Sequence, residues 1–249
     1  MPKLSNVDVF RRRRKLNHLP DRRCRLRSDL AGAPLIRRAI PPLASRNGCG
    51  RRLTQLVDAA PEGDQWLHEI KYDGYRMHAR LDRGRVKRLT RTGLDWTHKY
   101  PAIVGAVASL DARQAYLDGE LCGVGPDGVT SFSIVQLASD SGNAAALIFF
   151  LFDLLHLDGD DLRPQSLIER KDPLAALLAN APSSLHYSDH QLGRGRAFHV
   201  QACPMSLEGI VSKCADAAYA PGNRGLSLKV EVGPVELDAA AALPQQLQK

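Results

Sequence analysis

From residue 53 onward the apolar positions fall into short runs, spaced by two in some stretches and by three to four in others. Residues 66–72 and 75–82 read as strands, and the Asp73-Gly74 pair between them carries the signal of a two-residue hairpin turn. Residues 86–92 form a third strand after the Arg83-Gly84 turn. Apolar side chains at 103, 104, 107 and 110 give residues 98–110 the spacing of a helix. Residues 115–124 read as a strand, 131–138 as the start of a helix, and 146–157 as a deeply buried strand closed by Asp158-Gly159. A helix over 167–180 turns Leu174, Leu177 and Leu178 to the core, and a short strand follows at 185–188. Residues 196–203 form a helix stopped near Pro204, and the last strands cover 208–213 and 226–232. Residues 53–59 suit a short helix. Many strands mixed with single helices, without regular βα alternation, predict an α+β fold rather than a doubly wound sheet.

Composition sharpens this picture in one place. The net charge of +7 over 249 residues is unevenly shared. Residues 1–52 hold 15 Lys and Arg against 3 Asp and Glu, and the remaining residues hold 19 against 24. The folded body is therefore mildly acidic, and the overall charge by itself is no argument for nucleic-acid binding. The stretch 1–52, with its run Arg11-Arg12-Arg13-Arg14-Lys15, reads as a disordered extension or as a basic arm that condenses on phosphates. No apolar run reaches membrane-spanning length. Five scattered cysteines without a Cys-x-x-Cys pair argue for a reduced, cytoplasmic protein without structural zinc.

Candidate chemistry centres on Glu69-Ile70-Lys71-Tyr72-Asp73-Gly74-Tyr75-Arg76. Side chains two apart on a strand share a face, so Glu69 and Lys71 point the same way. A lysine nucleophile needs such a fixed place, near groups that lower its pKa. An ordinary surface lysine before an ordinary turn has the same local sequence. Further along, Glu120 follows Asp118-Gly119, Phe152 opens Phe-Asp-Leu-Leu, Glu208 opens Glu-Gly-Ile-Val-Ser-Lys213, and Lys229 sits in Leu228-Lys229-Val230. Each alone has a plain structural explanation: a turn-flanking carboxylate, a core ring, a local ion pair, an edge-strand charge.

In this order the segments resemble the nucleotidyltransferase motifs of ATP-dependent DNA ligases, in particular the ligase domain of bacterial non-homologous end-joining ligases. The stretch Leu89-Thr90-Arg91-Thr92-Gly93 is similar to that family's arginine-bearing segment. The resemblance covers residues 53–230. It implies an ATP-grasp-like domain of mainly antiparallel sheets with flanking helices, in which Lys71 attacks the α-phosphate of ATP and retains AMP. It further implies that Phe152 stacks on adenine, Glu69 lies near the adenine amino group, and Arg76 and Arg91 hold ribose or phosphate oxygens. Lys213 and Lys229 would approach the α-phosphate, and Glu120 and Glu208 would hold Mg²⁺ or Mn²⁺, with Glu120 also near the ribose. Nicked or broken duplex DNA would be the acceptor, end-joining repair proteins the partners, and a monomer the working form.

Two departures stand out. The family's fifth motif normally ends in Lys-x-Lys, and this chain has Lys229-Val230-Glu231. An OB-fold domain is expected to follow, whereas the 18 residues after Glu231 are Ala- and Gln-rich and read as an irregular tail. These features keep open an impaired ligase and a degenerate nucleotide- or DNA-binding module, and the Lys-x-Asp-Gly motif itself is shared with RNA ligases and mRNA-capping guanylyltransferases.

Overall fold

In the computed structural model, residues 54–90, 93–141, 147–205, 207–220 and 226–231 are described. In chain order the strands are β1 (Gln55–Leu56), β2 (Trp66–Lys71), β3 (Tyr75–Asp82), β4 (Arg85–Thr90), β5 (Gln114–Val124) and β6 (Thr130–Ser131). They continue as β7 (Leu147–Leu157), β8 (Asp160–Asp161), β9 (Leu185–Tyr187), β10 (His190–Leu192), β11 (Gly209–Cys214) and β12 (Ser227–Glu231). The helices are α1 (Pro101–Ala108), α2 (Phe132–Ser141), α3 (Leu167–Leu178) and α4 (Gly195–Ala202). One sheet runs β1-β12-β11-β2-β10; the other runs β4-β3-β5-β7-β8, with β6 on β5 and β9 on β7. Only β1–β12 and β7–β9 pair in parallel among these strands. This is the α+β architecture that the pattern predicts, with the mainly antiparallel sheets and flanking helices that the resemblance implies.

Period-two alternation gives each sheet an apolar outer face and a polar inner face. On β3 and β5, Met77, Ala79, Leu81, Leu117 and Leu121 join the main core under α1, α2 and α3. Their neighbours Arg76, Asp118 and Glu120 face the other way, into a cavity between the sheets. On β2, Ile70 packs with Ile210, Val230 and Ala202 in a second core, leaving Glu69 and Lys71 for the cavity.

Three expectations are corrected. Asp73-Gly74 closes no hairpin, because β2 and β3 belong to different sheets. Neither residue takes the positive φ that a type I′ turn requires. The chain crosses between the sheets there and is pinned in place. The Asp73 N–H donates to Thr130 Oγ1 at 3.2 Å, and Asp73 Oδ2 accepts from the Phe132 N–H at 2.9 Å. A Cβ at Gly74 would lie 2.3 Å from the Leu121 carbonyl oxygen, so the crossing needs glycine. Residues 53–59 give no helix among the described positions. Gln55 and Leu56 instead pair with Leu228 and Lys229, where a ready strand edge supplies hydrogen bonds without the cost of helix nucleation. The helix expected over 98–110 is split by Pro101, which opens α1 after a 3₁₀ turn at Thr97–Lys99.

Candidate active site

The cavity between the sheets measures about 320 Å³, at the lower end of the range for small-ligand sites. Lys71 ends β2 at its mouth, opposite Gly209 on β11, where a Cβ would lie 2.2 Å from the Val230 carbonyl oxygen. The close approach of these strands brings Glu208 onto Lys71, and the two form an ion pair. Burial pulls the Lys71 amine below the ordinary lysine range, and the neighbouring Lys229 ammonium pulls it further. The carboxylates of Glu231, Asp73 and Glu120 work against that shift.

The facing sheet contributes the other half. Arg76 reaches Asp118 through two bonds, Nε to Oδ1 at 3.2 Å and Nη2 to Oδ2 at 2.7 Å. Fully buried, Asp118 is held below the usual carboxylate range by Arg76 and then His78, against the opposing effect of burial. Glu120, opposite Arg76 on β5, has no such partner among the described residues. Burial pushes its carboxyl up to about 8, with Asp118 adding to the effect and Arg76 and Lys71 opposing it.

Phe152 reaches the cavity through a bulge. The β5–β7 register passes from Asp118↔Asp153 to Gly119↔Leu151, so Phe152 has no cross-strand partner and both it and Asp153 turn inward. Asp153 is neutralised from behind by the fully buried Arg170, at 2.7 and 2.8 Å. Arg76 lies 5.3 Å from the Phe152 ring centroid and the Lys213 ammonium lies 4.1 Å from it.

Thus Glu69, Lys71, Arg76, Glu120, Phe152, Glu208 and Lys213 line one cavity. Lys229 stands beside it rather than in its wall, and its Nζ donates to Glu231 Oε1 at 3.0 Å. Arg91 and residues 1–52 and 232–249 lie outside the described residues. Glu231 itself belongs to β12 and not to the tail expected to begin there. Glu69 is buried and engaged on both oxygens, one by Lys213 and the other by Lys171. Lys171 matches no motif in the sequence, although a signal exists. Leu167, Lys171, Leu174 and Leu178 occupy one face of α3 at spacings of three and four, so a charge sits where the pattern asks for an apolar residue. Tyr219, also in the cavity wall, carries no such signal.

Glu120 and Glu208 both line the cavity, as do Glu69, Asp73, Asp118 and Asp153, of which Glu69, Asp118 and Asp153 are already paired with basic side chains. No group of three or more His, Cys, Asp or Glu side chains could hold a metal among the described residues. Two carboxylates still suit Mg²⁺, which retains several waters, and an unpartnered carboxyl at Glu120 fits that use.

Two curled sheets closing on a lysine, opposed carboxylates and a bulge-borne ring define a nucleotidyltransferase fold. More narrowly, the chain belongs to the ATP-dependent DNA ligase domain family, whose model matches residues 48–230. It is 37% identical over 168 residues to the multifunctional non-homologous end joining protein LigD of Pseudomonas aeruginosa, across 67% of this chain and 20% of that protein. It is also 34% identical over 214 residues to a probable DNA ligase of Streptomyces griseus, across 78% of this chain and 40% of that one. The chain thus spans about a fifth of the LigD relative's length. Among solved structures it is similar to the ligase domain of Mycobacterium tuberculosis LigD, with a TM-score of 0.61 and 30% identity over 72% of this chain and 59% of that one. A mycobacterial DNA ligase D complexed with ATP and MES gives 0.60 and 29%, over 72% and 60%. No helix among the described residues is long and apolar enough to cross a membrane.

Proposed function

We propose that this chain forms a covalent lysyl-AMP at Lys71 and passes the AMP to a 5′-phosphate of nicked or broken duplex DNA. The observation that carries the reading is the convergence of Lys71, Glu120, Phe152 and Glu208 on one cavity. In the first step Lys71 Nζ bonds to the α-phosphorus of ATP as the bond to the bridging oxygen breaks. Pyrophosphate leaves with the electron pair, and the amine gives up its proton. Attack requires the neutral amine, which burial and Lys229 favour and which the pairing with Glu208 disfavours. Arg76, fixed on Asp118, presents a guanidinium whose direction is already set, a pre-organised partner for ribose or phosphate oxygens. Phe152 offers its ring to the base. A divalent cation held by Glu120 and Glu208 would neutralise phosphate charge in this cavity.

A second reading, a nucleotide-binding module without turnover, is favoured by one observation: Glu231 engages Lys229 beside the cavity. Labelled ATP separates the two readings. An α-phosphate label retained on denatured protein, a γ-phosphate label lost, and transfer of the α label to nicked DNA support the ligase reading. ATP binding without any covalent label supports the module.

A further inference from the structure

Glu69 lies between two lysines that are held very differently. Lys171 reaches it from α3, is 1% exposed, and lies outside the cavity wall. Its ammonium also donates to the Ser188 carbonyl oxygen at 2.9 Å and stands 4.8 Å from the centroid of the Tyr187 ring. The root of α3 is fixed in turn by a capping box between Ser166 and Glu169. Lys213 reaches the other oxygen of Glu69 from β11, but it lines the cavity and stands over Phe152. An aromatic base stacking on the Phe152 face that Lys213 covers would have to displace that ammonium.

We propose that Lys171 is a positioning residue that keeps the buried Glu69 charge compensated, so that Lys213 can be surrendered to the incoming nucleotide. Lys213 is then an exchangeable partner. In the free cavity it pairs with Glu69 and covers Phe152. With nucleotide bound it turns to phosphate, which frees one Glu69 oxygen to accept from an exocyclic amino group. Lys171 retains the other oxygen throughout. Without Lys171, Glu69 would be a buried carboxylate with a single cationic partner, and Lys213 would be held there against the nucleotide. The inference rests on the nucleotide reading of the cavity, not on sealing of DNA.

The test is a double-mutant cycle in the full chain, with Lys171→Met, Glu69→Gln and both together. Two quantities are measured for each: the ATP dissociation constant by calorimetric titration, and the rate of α-label incorporation at saturating ATP. Melting temperature reports folding. The double variant buries no unpaired carboxylate, so it stays folded if the single Lys171→Met variant does not. We expect Lys171→Met to weaken ATP binding about tenfold in the unaltered background and less than about threefold in the Glu69→Gln background. Where the Lys171→Met chain is too unstable to titrate, the double variant binding ATP within about threefold of Glu69→Gln supports the same conclusion. The rate at saturating ATP should change far less than the affinity. Equal weakening in both backgrounds, or unchanged affinity in a folded Lys171→Met chain, overturns the proposal. An unaltered chain that binds ATP and gains no label defeats the ligase reading alone, and the titrations still decide the role of Lys171.

Discussion

Two Arg–Asp pairs in this protein have nearly the same geometry and opposite environments, and they set up a direct test of where its stability lies. Arg170 meets Asp153 at 2.7 and 2.8 Å with both side chains buried, and Arg163 meets Asp161 at 2.8 and 2.7 Å with both exposed by about 40%. Arg170 also donates to the carbonyl oxygen of Gln165 at 2.6 Å. Replacing Arg170 with Met leaves Asp153 buried, with the Leu154 N–H at 2.9 Å as its remaining partner among the described residues. Removing one member of a buried ion pair costs about 3–5 kcal/mol. An exposed pair is worth about 0–1 kcal/mol. At about 2–4 °C per kcal/mol for a chain of this size, Arg170→Met should lower Tm by about 6–20 °C. Arg163→Ala should lower it by no more than about 4 °C. Thermal unfolding by circular dichroism reads both, and Asp153→Asn in the Arg170→Met background should restore part of the loss by removing the stranded charge. Equal Tm for the two single variants would refute the assignment of Arg170 as the buried counter-ion that Asp153 needs.

Three further outcomes follow from the site. Glu120 carries a folded-state pKa of about 8 against a reference value of 4.5, so the folded chain binds the extra proton between those values. Its stabilising contribution is complete below about pH 4.5 and is lost as pH rises through 8. The urea midpoint of the unaltered chain should therefore fall relative to Glu120→Gln from pH 5 to pH 8; a flat difference would mean that Glu120 titrates ordinarily. Phe152→Leu should weaken ATP binding about 3- to 10-fold by loss of the aromatic face, measured by titration. Glu231→Lys should release Lys229 and raise adenylate formation at low ATP severalfold, with the gain fading at high salt.

Much of the site is legible in the sequence because strand periodicity and motif order constrain it together. Glu120 and Phe152 lie within different strands, yet the resemblance places them with Lys71, and the β5–β7 bulge turns Asp153 inward beside Phe152, which alternation alone would not give. Asp73-Gly74 shows the limit of local reading. The dipeptide specifies a change of direction, but contacts with Thr130, Phe132 and Leu121, all about 50 residues away, decide that the chain leaves its sheet. Lys171 shows a second limit. Its place on the apolar face of α3 marks it as buried, and the identity of its partner, 102 positions away, depends on how α3 packs over the sheets. The 53–59 stretch reads locally as a helix for the same reason, since a parallel partner at β12 has no local signature.

In the proposed reaction the atom that bonds to phosphorus is the Nζ of Lys71. Incubation with ATP and a divalent cation, then acid quench under conditions that spare the phosphoramidate, proteolysis and mass spectrometry of the peptides, reads this directly. One added AMP is expected on the peptide containing Lys71, and none anywhere in the Lys71→Ala chain. AMP carried on another peptide, or label persisting in Lys71→Ala, would contradict it.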